Sequence, residues 1–274
     1  MISRPEPAVP FYLPVGSREI FCLHHAPAAA AVGALVYVPP FAEEMNKSRR
    51  AAALQSRALA ARGWHVLQID LSGTGDSGGD FSDATWDGWL EDVEAARRWL
   101  FSQSGFEPWL WGLRLGGLLA SMSLSQRPEP GVGLVLWQPV VSGRQQLQQF
   151  LRLKAGSAWL GQEPGADPRS ADPLDGLRAG EKIEVAGYLL SPSLALPMAA
   201  AELQLSEHLL RVVWLEVSPR PDAGLATTSQ RLLSALPASA EVRASVVAGP
   251  SFWRAQEIEV APELVRATCD ALPA

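Results

Sequence analysis

The stretch Trp109-Leu110-Trp111-Gly112-Leu113-Arg114-Leu115-Gly116-Gly117 decides the architecture of this chain. Its first residues form an apolar run that reads as a buried strand, and an apolar helical pattern follows from Leu115 to Ser125. Small residues at positions 112 and 116 permit a sharp strand-to-helix turn with Arg114 at its tip. A guanidinium stays protonated in a protein and carries only donors, so this tip offers a fixed positive charge and no nucleophile.

Outward from the turn, strands alternate with helices. Continuous apolar runs from Gly33 to Val38, Trp64 to Leu71, Pro108 to Trp111, Val132 to Trp137, Arg211 to Val217 and Val242 to Ala248 lack period-two alternation. Such runs suit parallel strands covered on both faces. Helical patterns fall between them, at Lys47 to Arg62, Trp86 to Phe101, Leu115 to Ser125, Ala223 to Leu236 and Pro262 to Leu272. In the second, Trp86, Trp89 or Leu90, Val93 and Leu100 make one stripe, with Asp83 or Thr85 as the cap. A hairpin opens the chain, Pro10 to Pro14 and Glu19 to His25 flanking a Gly16-Ser17 turn. The sum is an α/β class protein with a mostly parallel, doubly wound sheet, read as one domain over residues 1–274. Ser142 to Lys182 break the alternation with Gln-, Gly-, Pro- and Asp-rich sequence, Ile183 to Leu205 have mixed periodicity, and a lid inserted after the sixth strand is expected over residues 142–205.

Composition excludes several classes. The formal charge of −6, without a Lys/Arg block, disfavours nucleic acid or an anionic lipid surface as main partner. Cys22 and Cys269 lie at opposite ends of the chain, so buried free thiols are expected rather than a disulfide framework or a zinc site. The longest apolar run, Ala28 to Val38, is too short for a bilayer span and lacks a basic leader, so no membrane span and a cytoplasmic location are expected. Gly73-Thr74-Gly75 lacks the remaining glycine and the context of a dinucleotide fingerprint, and no metal-ligand spacing occurs; no cofactor is implied.

Four segments carry a resemblance. Asp70-Leu71-Ser72-Gly73-Thr74-Gly75-Asp76-Ser77 follows one strand, the Gly112-x-Arg114-x-Gly116 turn follows another, and the Val212 to Asp222 segment and Gly249-Pro250-Ser251-Phe252-Trp253 follow in order. Together they resemble the α/β-hydrolase superfamily, whose GxSxG nucleophile elbow has the spacing of the 112–116 turn. Pro39-Pro40-Phe41-Ala42-Glu43-Glu44-Met45-Asn46-Lys47-Ser48-Arg49, with the turn, is similar to the hydrolase-like proteins encoded beside bacterial exosortase and exopolysaccharide genes. The resemblance implies a nucleophile position at Arg114, an acid at or near Asp222 and a histidine near Pro250 or Ser251. Only the acid residue type is present, and loss of the imidazole removes the general base as well as the nucleophile. His24, His25, His65 and His208 are all expected toward the opposite edge of the sheet, as structural residues.

Two readings remain open for Arg114. In one, the guanidinium and the first turn of its helix, starting at Leu115, bind an anionic ligand, with Phe41, Glu43 and Glu44 beside them. In the other, Glu43 or Glu44 neutralises Arg114 internally. Ser72, Ser77, Ser251, Asp70 and Asp76 are weaker candidates for chemistry, since loop-shaping explains them. Lys47 and Arg49 extend a charged cluster at the mouth or lie on a solvated helix face. Trp109, Trp111, Trp137 and Trp253 either ring a pocket or, by default, fill the core. The functional expectation is a non-catalytic or atypical member that binds a small anionic, acyl or glycan-related ligand or a protein partner. The alternative is a hydrolase or acyltransferase acting on an ester or thioester by a non-standard mechanism.

Overall fold

The computed structural model describes residues 7–127, 131–159, 173–206, 209, 211–220 and 222–273. The opening hairpin pairs β1 (Val9–Val15) with β2 (Arg18–His25), and β2 runs antiparallel to β4 (Trp64–Ile69). From β4 onward all neighbours are parallel: β3 (Gly33–Val38), β5 (Trp109–Leu113), β6 (Gly133–Trp137), β9 (Arg211–Ser218) and β10 (Glu241–Ala248) complete an eight-stranded sheet in the order β1-β2-β4-β3-β5-β6-β9-β10.

The continuous apolar strands bury both faces. Along β5, Leu110 joins one core with Val36, Leu134 and Val212, while Trp109, Trp111 and Leu113 join the other with Tyr37, Val135 and Val213. Helices α2 (Trp86–Ser104) and α3 (Leu115–Gln126) cover the first face. Helices α1 (Glu43–Ala60) and α8 (Pro262–Ala271) cover the second. The α2 stripe is buried as expected, and Thr85 caps the helix by accepting from the Gly88 N–H at 3.0 Å.

Several elements differ from expectation. Helix α1 starts at Glu43, ahead of Lys47, because the acidic pair Glu43 and Glu44 favours the positive end of the helix dipole. Helix α7 (Thr227–Ser234) is shorter than the 223–236 pattern. Strand β10 is not covered on both faces: as the edge strand it has a partner on one side only, and Glu241 to Ser245 are exposed.

Between β6 and β9 the chain forms α4 (Gly143–Trp159), α5 (Pro173–Arg178), a short hairpin of β7 (Ile183–Val185) and β8 (Tyr188–Leu190), and α6 (Pro192–Ala200). The first part of α4 and the hairpin stand beside the carboxyl ends of the central strands, where open α/β sheets place their ligands.

Candidate functional site

The turn between β5 and α3 is built around Arg114, which has φ 55° and ψ −121°. That conformation lies outside the regions open to ordinary L residues, and its neighbours enforce it. The Arg114 N–H donates to the Trp137 carbonyl at 3.0 Å, and its own carbonyl accepts from Gly117 at 3.0 Å and Val140 at 3.2 Å. The flanking glycines are dictated by close approach. A Cβ on Gly112 would lie 2.4 Å from the Gly117 Cα, and one on Gly116 would lie 2.2 Å from the Val38 carbonyl oxygen. At the end of the adjacent strand Ala42 repeats the conformation, with φ 51° and ψ −129°, immediately before α1.

The Arg114 side chain turns into a closed polar ring. Its Nε donates to Glu44 Oε1 at 3.3 Å and its Nη2 to Gln146 Oε1 at 3.2 Å, while Gln146 Nε2 donates to Glu44 Oε2 at 3.5 Å. Trp253 lies against the guanidinium, 5.7 Å from its ring centroid. Burial acts against both charges. It raises the Glu44 carboxyl above its ordinary range despite the opposing pull of Arg114, Arg254 and Gln146. It also lowers the Arg114 guanidinium, against the pull of Glu44.

A cavity of about 550 Å³ opens above this ring. Phe41, Phe150 and Trp253, all buried, form its floor with Glu44 and Gln146, and Tyr188 forms a side wall. Glu43, Lys47, Arg152 and Arg254 stand at the rim. Of the residues singled out from sequence, Phe41, Glu43, Glu44, Lys47 and Trp253 therefore line the cavity. Arg114 and Leu115 are buried and are not among its lining residues.

The other candidates separate. Asp222 is exposed in the segment after β9. Ser251 is half-buried after β10, where its carbonyl accepts from the Arg254 N–H at 2.9 Å. Arg49 does not join a cluster with Glu43 and Glu44; it pairs with Asp70 at 2.7 Å, because its position on α1 faces the loop after β4. Asp70 also accepts from the Asp76 N–H, and the Ser77 hydroxyl bridges the Asp70 carbonyl and the Phe21 N–H, so these residues shape the loop. Trp109, Trp111 and Trp137 are core residues, while Trp253 serves both core and cavity. His24 bonds His65 at 3.2 Å and His25 bonds Gln68 at 2.8 Å, on β2 and β4 toward the sheet edge opposite Arg114. His208 lies outside the described residues.

Sequence reasoning missed Gln146, which ties Arg114 to α4, and Glu216, buried near the end of β9. Glu216 accepts from Ser229 Oγ at 2.5 Å, the Ala226 N–H at 3.0 Å and Trp214 Nε1 at 3.1 Å. A carboxylate inside an otherwise apolar strand was the available signal for Glu216; no local pattern marks Gln146.

Several solved structures are similar over nearly the whole chain. Est1E from Butyrivibrio proteoclasticus, solved with ferulic acid bound, is 13% identical over 95% of this chain and 96% of that one, with a TM-score of 0.68. A thermostable carboxyl esterase from Bacillus coagulans is 16% identical over 96% of each chain, with a TM-score of 0.63. The chain has the α/β-hydrolase fold. An α/β serine hydrolase homologue from Coxiella burnetii is also similar, 12% identical over 98% of this chain and 99% of that one, with a TM-score of 0.59. Residues 30–164 match the family model of a hydrolase family described as serine aminopeptidase, S33. Among curated protein sequences none matches significantly. Within this α/β-hydrolase fold, Arg114 stands at the tip of the β5–α3 turn and pairs with Glu44 at 3.3 Å. No described helix is long and apolar enough to cross a membrane.

Proposed function

We propose that this chain is a non-catalytic or atypical member of the α/β-hydrolase fold, one that uses the cavity over the elbow to bind a small anionic, acyl or glycan-related ligand rather than to hydrolyse esters through a serine. The single observation that carries this reading is the Glu44–Arg114 pair: the side chain at the tip of the elbow is a buried cation engaged by a carboxylate. The described histidines add support, since their rings bond to each other and to Gln68 on β2 and β4. The resemblance of the Pro39 to Arg49 segment to exosortase-associated proteins suggests a role in an exopolysaccharide system, acting on a ligand or with a protein partner. The α4 to α6 insertion is assigned the part of a lid over the cavity.

The intact elbow backbone and the family likeness favour one second reading, an ester or thioester hydrolase or acyltransferase in which Arg114 polarises the substrate. A fluorophosphonate probe separates the two. The purified protein is expected to take no label and to leave a panel of p-nitrophenyl esters at the background rate. Labelling of a serine that disappears in its alanine variant would overturn the non-catalytic reading.

A further inference from the structure

The cavity divides into two chemically different halves. Its deep half is aromatic and preassembled: Phe41 and Phe150 pack edge to face with centroids 4.9 Å apart, and Phe150 and Tyr188 at 6.2 Å. Tyr188 is fixed in turn by its hydroxyl, which donates to Glu43 Oε2 at 3.2 Å and accepts from Asn46 at 3.4 Å. Two polar side chains of the floor, Glu44 and Gln146, bond each other and Arg114, while the buried Trp253 indole N–H has no hydrogen-bond partner. The outer half is charged and unbalanced. Lys47, Arg152 and Arg254 face a single rim carboxylate, Glu43, and none of the three cations meets a carboxylate within ion-pair distance among the described residues. Arg254 is held over α4 by a 3.4 Å bond from its Nη2 to Gln149 Oε1.

A ligand matching both halves is amphipathic. A glycan would bring many hydroxyls to a floor in which Glu44 and Gln146 are engaged and the Trp253 indole N–H offers a single donor, leaving most of them unpaired on burial. A neutral ester would leave the rim cations without a counter-charge. An apolar body fits the floor, and an anionic group leading out of it meets the rim.

We propose that the cavity binds a small organic carboxylate, its acyl or aryl body on the Phe41, Phe150 and Tyr188 surface and its carboxylate at the Lys47 and Arg254 rim. This rests on the reading of the cavity as a ligand site given above and names the ligand class. The charges facing the bound carboxylate are Lys47 and Glu43 from α1, Arg152 from α4 and Arg254 from the segment after β10, with Glu44 and Arg114 beneath.

Isothermal titration of the full chain with octanoate, 1-octanol and octylamine, in low and high salt, tests the assignment. Octanoate is expected to bind with one site per chain, about tenfold more tightly than octanol, the scale of one charge-assisted contact, with octylammonium weakest. Raising the salt should weaken octanoate and leave octanol unchanged. The double variant Lys47→Ala, Arg254→Ala, at the half-buried Lys47 and the exposed Arg254, should bring octanoate to the octanol level. Equal binding of octanoate and octanol, salt-independent octanoate binding, or no binding of either overturns the assignment. None of these results produces fluorophosphonate labelling, so a failure here stays distinct from a failure of the non-catalytic reading.

Discussion

Arg114 occupies a backbone conformation that costs an ordinary residue on the order of 1–3 kcal/mol, and the surrounding hydrogen bonds hold it there. The strain belongs to the turn and persists whatever side chain the turn carries. What the side chain adds is a charge taken out of water, partnered by Glu44 through one 3.3 Å contact and by Gln146 through another at 3.2 Å. Buried pairs of this kind contribute little net stability, yet removing one member leaves the other charge stranded. Arg114→Ala is therefore expected to lower stability by about 3 kcal/mol, read as a drop in the urea midpoint. The paired replacement Arg114→Met with Glu44→Gln should recover most of that loss, because no uncompensated charge remains. A double variant no more stable than Arg114→Ala would show that the cost lies in packing against Trp253 and not in the pair.

At the scale of the elements, Glu216 does for α7 what a capping side chain does for an isolated helix. It sits near the end of β9 and gathers the Ala226 N–H and the Ser229 hydroxyl from the start of α7, together with the indole N–H of Trp214 on its own strand. Glu216→Ala removes the acceptor from three buried or half-buried donors, a loss of about 2–3 kcal/mol by the cost of leaving such groups unpaired. Hydrogen exchange should then rise across Thr227–Ser234 while β5 and α3 stay protected; unchanged exchange in α7 would refute the anchoring role. Which elements were legible in the sequence follows from the same physics. Strands buried on both faces announce themselves as unbroken apolar runs, and Gly112 and Gly116 mark a turn that no larger residue fits, so the β5 to α3 unit could be read directly. Edge strand β10 shares the apolar signature only in part, since Glu241 and Arg243 already signal its exposure. The meeting of Glu44 with Arg114 was accessible because both follow neighbouring parallel strands. Gln146 and Trp253 reach the same spot from α4 and from the turn after β10, and their directions depend on how the insertion and the last strand pack, which local periodicity does not encode.

Across the whole molecule, the sheet separates two groups of titratable residues that respond to pH in opposite senses. At the edge away from the cavity, burial and then the neighbouring His65 lower His24 to about 4, while burial, Arg57 and His24 lower His25 to about 4. Burial lowers His65 as well. A histidine whose folded value lies below its unfolded value near 6.5 favours folding in its neutral form. Its contribution is complete above pH 6.5 and is lost as the pH falls toward 4. On the other side, burial raises Glu44 and Asp92, so their ionisation opposes folding, and their contribution is greatest below the ordinary carboxylate range and declines as the pH rises through their folded values. Between pH 6.5 and 5 the unfolded imidazoles take up protons that the three folded histidines do not, which lowers stability as the pH falls; a proton retained by folded Glu44 or Asp92 while the unfolded carboxyl is ionised acts in the opposite sense. With three histidines set against two carboxyls, the urea midpoint is expected to fall from pH 7 to pH 5. A His24→Gln, His65→Gln variant, which removes the 3.2 Å imidazole pair together with its protonation, should show a shallower fall over the same interval. A wild-type midpoint that holds constant from pH 7 to 5, or a variant with an undiminished slope, would place the pH response outside the β2–β4 edge.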